Sequence, residues 1–258
     1  MKDTVLLEEM TWVEIEAAMR NGADTVIIYA ASVEQHGPAL PEITDTAIGY
    51  AQAEDLARRL GNALVAPVIR PGLSRHHMSL PGSLTLRPEI FKGIVEDYVD
   101  AYVHHGFKKI VLASSHGGNF DAVNVLAEEL ALRYPEVCIV SGCSIRDFDK
   151  ILIELEREEG LPEGACGGHA CDFETSIMLM LNESSVRKDK LQAGYVGPIT
   201  DEILERFNKG VTEVSEIGVW GDPQEADAER GRRYFERFQA MQADAVRKNM
   251  ERWKKEKK

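Results

Sequence analysis

Short apolar runs alternate with segments of helical period along the chain. Residues 25–31, 63–68, 109–114 and 137–141 are rich in β-branched side chains, and each gives way to polar or glycine-rich sequence, as buried strands do. Between them, residues 11–20 open on a capping box, Thr11 with Glu14, and stop before Gly22. Residues 46–60 end at Gly61, and residues 88–105 begin with Pro88 at the first helical position and end at Gly106. Residues 119–133 and 173–181 continue the helical series. Residues 182–223 are less regular, and residues 224–258 form one long charged helical pattern or two. Strands separated by helices predict an α/β domain with a mostly parallel sheet covered on both faces. With no disordered linker and no internal repeat, residues 1–258 read as one domain. Such a sheet places functional groups on the loops that leave the carboxyl ends of its strands.

Charge narrows the choice of partners. The 43 acidic residues exceed the 30 lysines and arginines, and the formal charge of -13 speaks against nucleic acid. The Lys-rich end, residues 253–258, reads as a solvated helix tail. No apolar run approaches the length that crosses a bilayer and no apolar leader opens the sequence, so the expected setting is the reducing cytoplasm. Cys138, Cys143, Cys166 and Cys171 lack the usual zinc spacings and read as free thiols.

Four polar clusters carry the chemistry. The first, Glu34-Gln35-His36-Gly37-Pro38 followed by Thr44-Asp45, leaves the first strand directly. Glu34 and His36 point to one side of an extended turn. Asp45 is a third ligand or a helix N-cap, a role Thr44 fills equally well. On spacing alone this is either a metal site or an exposed loop pair. The second, Ser114-Ser115-His116-Gly117-Gly118-Asn119, joins a strand to a helix; its glycines permit a sharp turn and close backbone approach to a ligand. His116 then either faces the strand-end crevice or belongs to a structural turn. In the third, residues 167–176, His169 lies in a glycine-rich loop and Glu174 opens an otherwise apolar helix. A buried carboxylate there needs a cation, unless the helix dipole alone stabilises it. In the fourth, residues 74–83, the adjacent His76 and His77 point to opposite sides and do not chelate one ion together. Arg75 offers a fork of donors to a carboxylate, phosphate or polyol, or else pairs with a surface acid.

These clusters, in this order, resemble the creatininase family. Glu34-Gln35-His36-Gly37-Pro38-Ala39-Leu40-Pro41-Glu42-Ile43-Thr44-Asp45 matches its first motif, and His169-Ala170-Cys171-Asp172-Phe173-Glu174-Thr175-Ser176 its fourth. Residues 74–83 and 114–119 match the second and third with changes, and residues 218–226 resemble the family's tail, so the resemblance runs over nearly the whole chain. His76 stands where the second motif usually has Glu. Gly117-Gly118 stands where creatininase itself carries Tyr and a metal-binding Glu, which points to a branch other than creatininase.

The resemblance implies a three-layer α/β/α sandwich and two divalent ions, zinc, manganese or iron. One ion takes Glu34, Asp45 and His116. The other takes His36, Asp45 and Glu174, so Asp45 bridges. A bridging hydroxide then attacks a carbonyl of a small-molecule substrate, with amide C–N cleavage as the leading reading. His169, outside the ligand set, is the expected proton shuttle, and Gly117 and Gly118 flank the oxyanion. Arg75 and His77 are the expected substrate contacts. The resemblance also implies a homo-oligomer, often a hexamer. Two alternatives stand beside this reading: C–C cleavage of a carbocyclic diketone of the inosose type, and a non-catalytic metal- or ligand-binding protein.

Overall fold

The computed structural model describes residues 4–257. Its sheet holds β1 (Thr25–Ala30), β2 (Ala63–Val65), β3 (Lys109–Ser114) and β4 (Cys138–Ser141), all parallel, in the order β2-β1-β3-β4. The helices are α1 (Trp12–Arg20), α2 (Thr44–Leu60), α3 (Pro88–His104), α4 (Phe120–Arg133), α5 (Ile145–Glu158), α6 (Asp172–Asn182), α7 (Asp201–Lys209) and α8 (Ala228–Glu256). The capping box of α1 forms as its sequence requires, Thr11 accepting from Glu14 N–H and Glu14 from the Thr11 backbone.

Side-chain alternation sorts the core into two layers. Val26, Ile28, Leu64, Ile110, Leu112 and Ile139 pack on one face with Phe91, Val95 and Val99 of α3 and Val123, Leu126 and Leu130 of α4. Ile27, Tyr29, Val65, Val111 and Val140 pack on the other with Ala53 and Leu56 of α2 and Ala243 and Val246 of α8. The expected three-layer arrangement is therefore the one observed. A separate apolar cluster, including Leu155, Phe173, Ile177, Tyr234 and Phe238, ties α5, α6 and α8 together beyond the sheet.

Two expected boundaries shift by two residues or more. The strand expected over 63–68 ends at Val65, because Pro67 has no N–H for the ladder, although Ala66 and Ile69 still donate to Ile27 and Tyr29. The helix expected from residue 46 begins at Thr44 with Ile43 as its cap, so neither Thr44 nor Asp45 is an N-cap. The 182–223 region contains α7, and residues 224–258 contain one helix, α8. All four cysteines are free and buried. Among the described residues, no helix is long and apolar enough to cross a membrane.

The strand order reverses direction between β1 and β3, whose last residues, Ala30 and Ser114, pair in register. Loops leaving the two strands there diverge and open a crevice between them.

Candidate metal centre

The crevice is filled by charged side chains that the fold has removed from water. Glu34 and His36, on the loop after β1, are 0% and 1% exposed; Asp45, in the first turn of α2, is 1% exposed; His116, after β3, is 3% exposed; Glu174, in the first turn of α6, is 9% exposed. Their ligand atoms form two groups compact enough for an ion, Glu34–Asp45–His116 and His36–Asp45–Glu174, which share Asp45. A third group, Glu34–His36–His169, faces the same space.

Backbone carbonyls fix both imidazoles. His36 Nδ1 lies 3.0 Å from the Glu34 carbonyl, so the hydrogen sits on Nδ1 and the Nε2 lone pair faces Asp45 Oδ1 at 3.1 Å and Glu174 Oε1 at 3.7 Å. His116 Nε2 lies 3.2 Å from the Leu73 carbonyl, which leaves Nδ1 facing Glu34 Oε1 at 3.1 Å and Asp45 Oδ2 at 3.2 Å. A lone pair aimed at a carboxylate is repulsive unless a proton or a metal cation lies between them. Both Glu34 carboxylate oxygens are buried without a hydrogen-bond partner, a costly state that a bound cation removes. The donor set, two imidazoles and three carboxylates, suits zinc, manganese or iron(II).

A second layer holds these groups in place. Ser32 Oγ donates to Asp45 Oδ2 at 2.6 Å, and Ser115 Oγ donates to the Asp45 carbonyl at 2.7 Å. Ala170 N–H donates to Glu174 Oε2 from a backbone at φ 51°, a left-handed conformation for a residue with a Cβ. Asn119 ties the two crevice loops, accepting from Leu73 N–H and donating to the Ala31 carbonyl. Gly118 packs so closely that a Cβ would lie 2.4 Å from the Leu73 carbonyl oxygen and 2.6 Å from His116 Nε2. Its glycine is thus required by packing around His116.

Gln35 links the remaining histidines. Gly37 N–H donates to Gln35 Oε1, which makes Gln35 Nε2 the donating end. Gln35 Nε2 is 2.8 Å from His77 Nδ1, so His77 carries its hydrogen on Nε2, which lies 3.2 Å from Glu34 Oε1 without the geometry of a hydrogen bond. His169 Nε2 donates to the Gln35 carbonyl at 2.7 Å, leaving Nδ1 free and 3.7 Å from Glu34 Oε1.

Electrostatics divide the five histidines of the site into two kinds. Burial disfavours a charged His36, but Asp45 and Glu174 outweigh it and hold the pKa well above the ordinary value. His116, similarly buried, is pushed up to about 10 by Glu34 and Asp45. Burial opposes the charged Asp45, yet His36 and His116 carry it well below the usual carboxylate range. Burial also raises Glu174, against the pull of His36. Burial, reinforced by neighbouring histidines, lowers His77 and His169 well below the ordinary value and His76 to about 3. The carboxylates around them thus favour the protonated forms of His36 and His116, whereas His76, His77 and His169 remain neutral bases and donors.

The centre forms the floor of a cavity of about 360 Å³. Glu34, Asp45, Glu174, His76, His77, His116, His169, Gly117 and Gly118 all line it, with Phe148 and Asp149 of α5, Phe207 of α7 and Trp220 forming outer walls. Arg75 departs from the sequence expectation. It is exposed and does not line the cavity, because the single 3₁₀ turn Arg75–His77 directs its two histidines inward instead. His76 stacks on His116 at 5.7 Å between ring centroids and against Phe207 at 4.8 Å. Sequence reasoning did not single out Gln35, Ser32 or Asn119. Gln35 sits inside the first motif, so its position between two candidate ligands was the available signal.

The comparisons with known proteins agree on one relationship. A family model described as creatinine amidohydrolase matches residues 8–246. A mycofactocin precursor peptide peptidase of Mycobacterium tuberculosis is 31% identical over 89% of this chain and 85% of its own. The creatinine amidohydrolase of Pseudomonas putida is 27% identical over 74% of this chain and 77% of its own. Among solved structures, a manganese creatininase superposes with a TM-score of 0.77 at 26% identity, covering 96% of this chain and 99% of that one.

Proposed function

From the chain's membership of the creatininase family, whose curated members here are hydrolases, we propose that it is a two-metal amidohydrolase acting on an amide or peptide bond. The observation that carries this reading is the aim of the two carbonyl-anchored imidazoles: both lone pairs point at buried carboxylates, with Asp45 common to both sets. Glu34, Asp45 and His116 would hold one divalent ion and His36, Asp45 and Glu174 the other. When bound, the ions acidify water and polarise a carbonyl, supplying nucleophile and electrophile near neutral pH.

The chain's own residues complete the reaction. His169, neutral and anchored through Nε2, presents Nδ1 to the cavity. From there it accepts the proton of the attacking water and returns it to the leaving nitrogen. His77 packs its Nε2 3.2 Å from Glu34 Oε1 and limits where that carboxylate can swing. Gly117 lines the cavity, and its backbone N–H would be the donor to the tetrahedral oxyanion. Phe148, Phe207 and Trp220 exclude water above the centre. The 3-dehydro-scyllo-inosose hydrolase of Thermotoga maritima is a relative at 27% identity, but the match spans 56% of its length. A homo-oligomer in the cytoplasm belongs to the same reading.

The test is elemental analysis joined to an amide panel. Protein reloaded with zinc or manganese is expected to hold close to two ions per chain and to release free amine from at least one amide or peptide. Metal content near zero after reloading, or turnover with no amine released, would sink the proposal.

A further inference from the structure

The outer wall of the metal cavity carries a group that the hydrolytic chemistry does not use. Asp149 lies in the middle of α5, on the wall shared by this cavity and an adjoining space of about 400 Å³ lined by Leu152, Gly167, Pro198 and Ile199 among others. It is half-buried, yet it makes no hydrogen bond and no ion pair. Its place within the helix gives it no free N–H groups to cap. Burial alone raises its pKa, with no cation opposing the shift.

The surroundings share this sign. Asp121, exposed in the first turn of α4, also lines the cavity without an ion pair. Among the described residues, no lysine or arginine lines the metal cavity. Arg157 lines the adjoining space but sits two turns further along α5 and does not pair with Asp149. Phe148 and Phe207 line the same cavity as the two carboxylates.

We infer that Asp149 is a specificity-determining residue that binds a cationic group, an ammonium or guanidinium, carried by the substrate beside its scissile amide. A carboxylate in an aromatic-walled cavity fits such a group, through charge-assisted hydrogen bonds on one side and cation–π contact on the other. An anionic substrate arm meets only repulsion from Asp149 and Asp121. This inference rests on the amidohydrolase reading for the word substrate, but its test does not need turnover.

Isothermal calorimetry on the full chain reloaded with zinc compares benzylguanidine with its neutral isostere, benzylurea. The expected result is at least about tenfold tighter binding of the guanidine, the scale of a hydrogen bond to a charged group. Asp149→Asn should erase that preference while leaving metal content and benzylurea binding as they were. Asp121→Asn, at an exposed position, should change it less. Equal affinities in the wild-type protein would overturn the inference, and so would a preference that survives Asp149→Asn. If the guanidine preference holds while no amide is ever cleaved, the hydrolase reading falls and the cation site stands.

Discussion

The floor and the outer wall of one cavity are built on different principles. On the floor, four of the five candidate ligands are anchored by backbone or by a neighbouring side chain: His36 by the Glu34 carbonyl, His116 by the Leu73 carbonyl, Asp45 by Ser32, and Glu174 by Ala170 N–H. On the wall, Asp149, Phe148, Phe207 and Trp220 come from α5, α7 and a late loop, and Asp149 has no anchor. The α7 helix buries only Ile203. The floor is pre-organised for one chemistry, whereas the wall is free to vary with the substrate. A fold can therefore keep its reaction while its specificity changes.

The largest effect that would sharpen this contrast is on the floor. Asp45→Ala removes the carboxylate common to both candidate ion groups, so both ions and all metal-dependent turnover are expected to be lost. Retention of one ion per chain, measured by elemental analysis, would show that Asp45 is not shared. Next comes His169→Ala, expected to cut kcat by roughly 10²–10⁴-fold with metal content near normal. A parallel fall in metal content would make His169 a ligand, as its grouping with Glu34 and His36 also allows.

Smaller effects probe the supports and the wall. Ser32→Ala deletes the hydroxyl on Asp45 Oδ2 and is expected to weaken metal affinity about 10–100-fold, read by competition with a chelator. Unchanged affinity would mean that the ions alone orient Asp45. Phe207→Ala is expected to raise KM about tenfold with kcat nearly constant, since it removes apolar contact without touching the reacting groups. A fall in kcat instead would move Phe207 from wall to floor.

The smallest effect is one of pH. In chelator-treated protein His116 titrates at about 10 against 6.5 in the unfolded chain, a raised value. The folded state therefore keeps a proton that the unfolded state has released. The resulting stability is complete below pH 6.5 and is lost as pH rises through about 10. Melting temperature of the metal-free protein should decline across that window more than that of the reloaded protein. Parallel curves for the two would refute this assignment of the proton.

The floor was legible in the sequence and the wall was not. Glu34, His36, Asp45, His116 and Glu174 sit in short, unusual strings at strand or helix ends, where a β–α alternation announces a crevice. The apolar runs of β1, β3 and β4 are recognisable because both faces of a parallel sheet are buried. By contrast α5 carries no strong start or stop beyond its Ser144–Asp147 cap, and α7 lies in a stretch of mixed polarity. Gln35, Ser32 and Asn119 each bond to a residue at least 13 positions away in sequence, and those partners meet only on folding. Arg75 and His76 are adjacent, and only the local 3₁₀ turn decides which of them faces inward.

The shared carboxylate has a consequence for the chain as a polymer. Glu34 and Glu174 are 140 residues apart in sequence, and His116 lies between them. Ions held by these residues would act as reversible clasps that close two very long loops. A permanent cross-link over about 100 residues removes roughly 5 kcal/mol of denatured-state freedom. Loss of the ions should therefore loosen α6 together with the turns after β1 and β3, so that amide exchange quickens in concert at three places the chain itself keeps far apart.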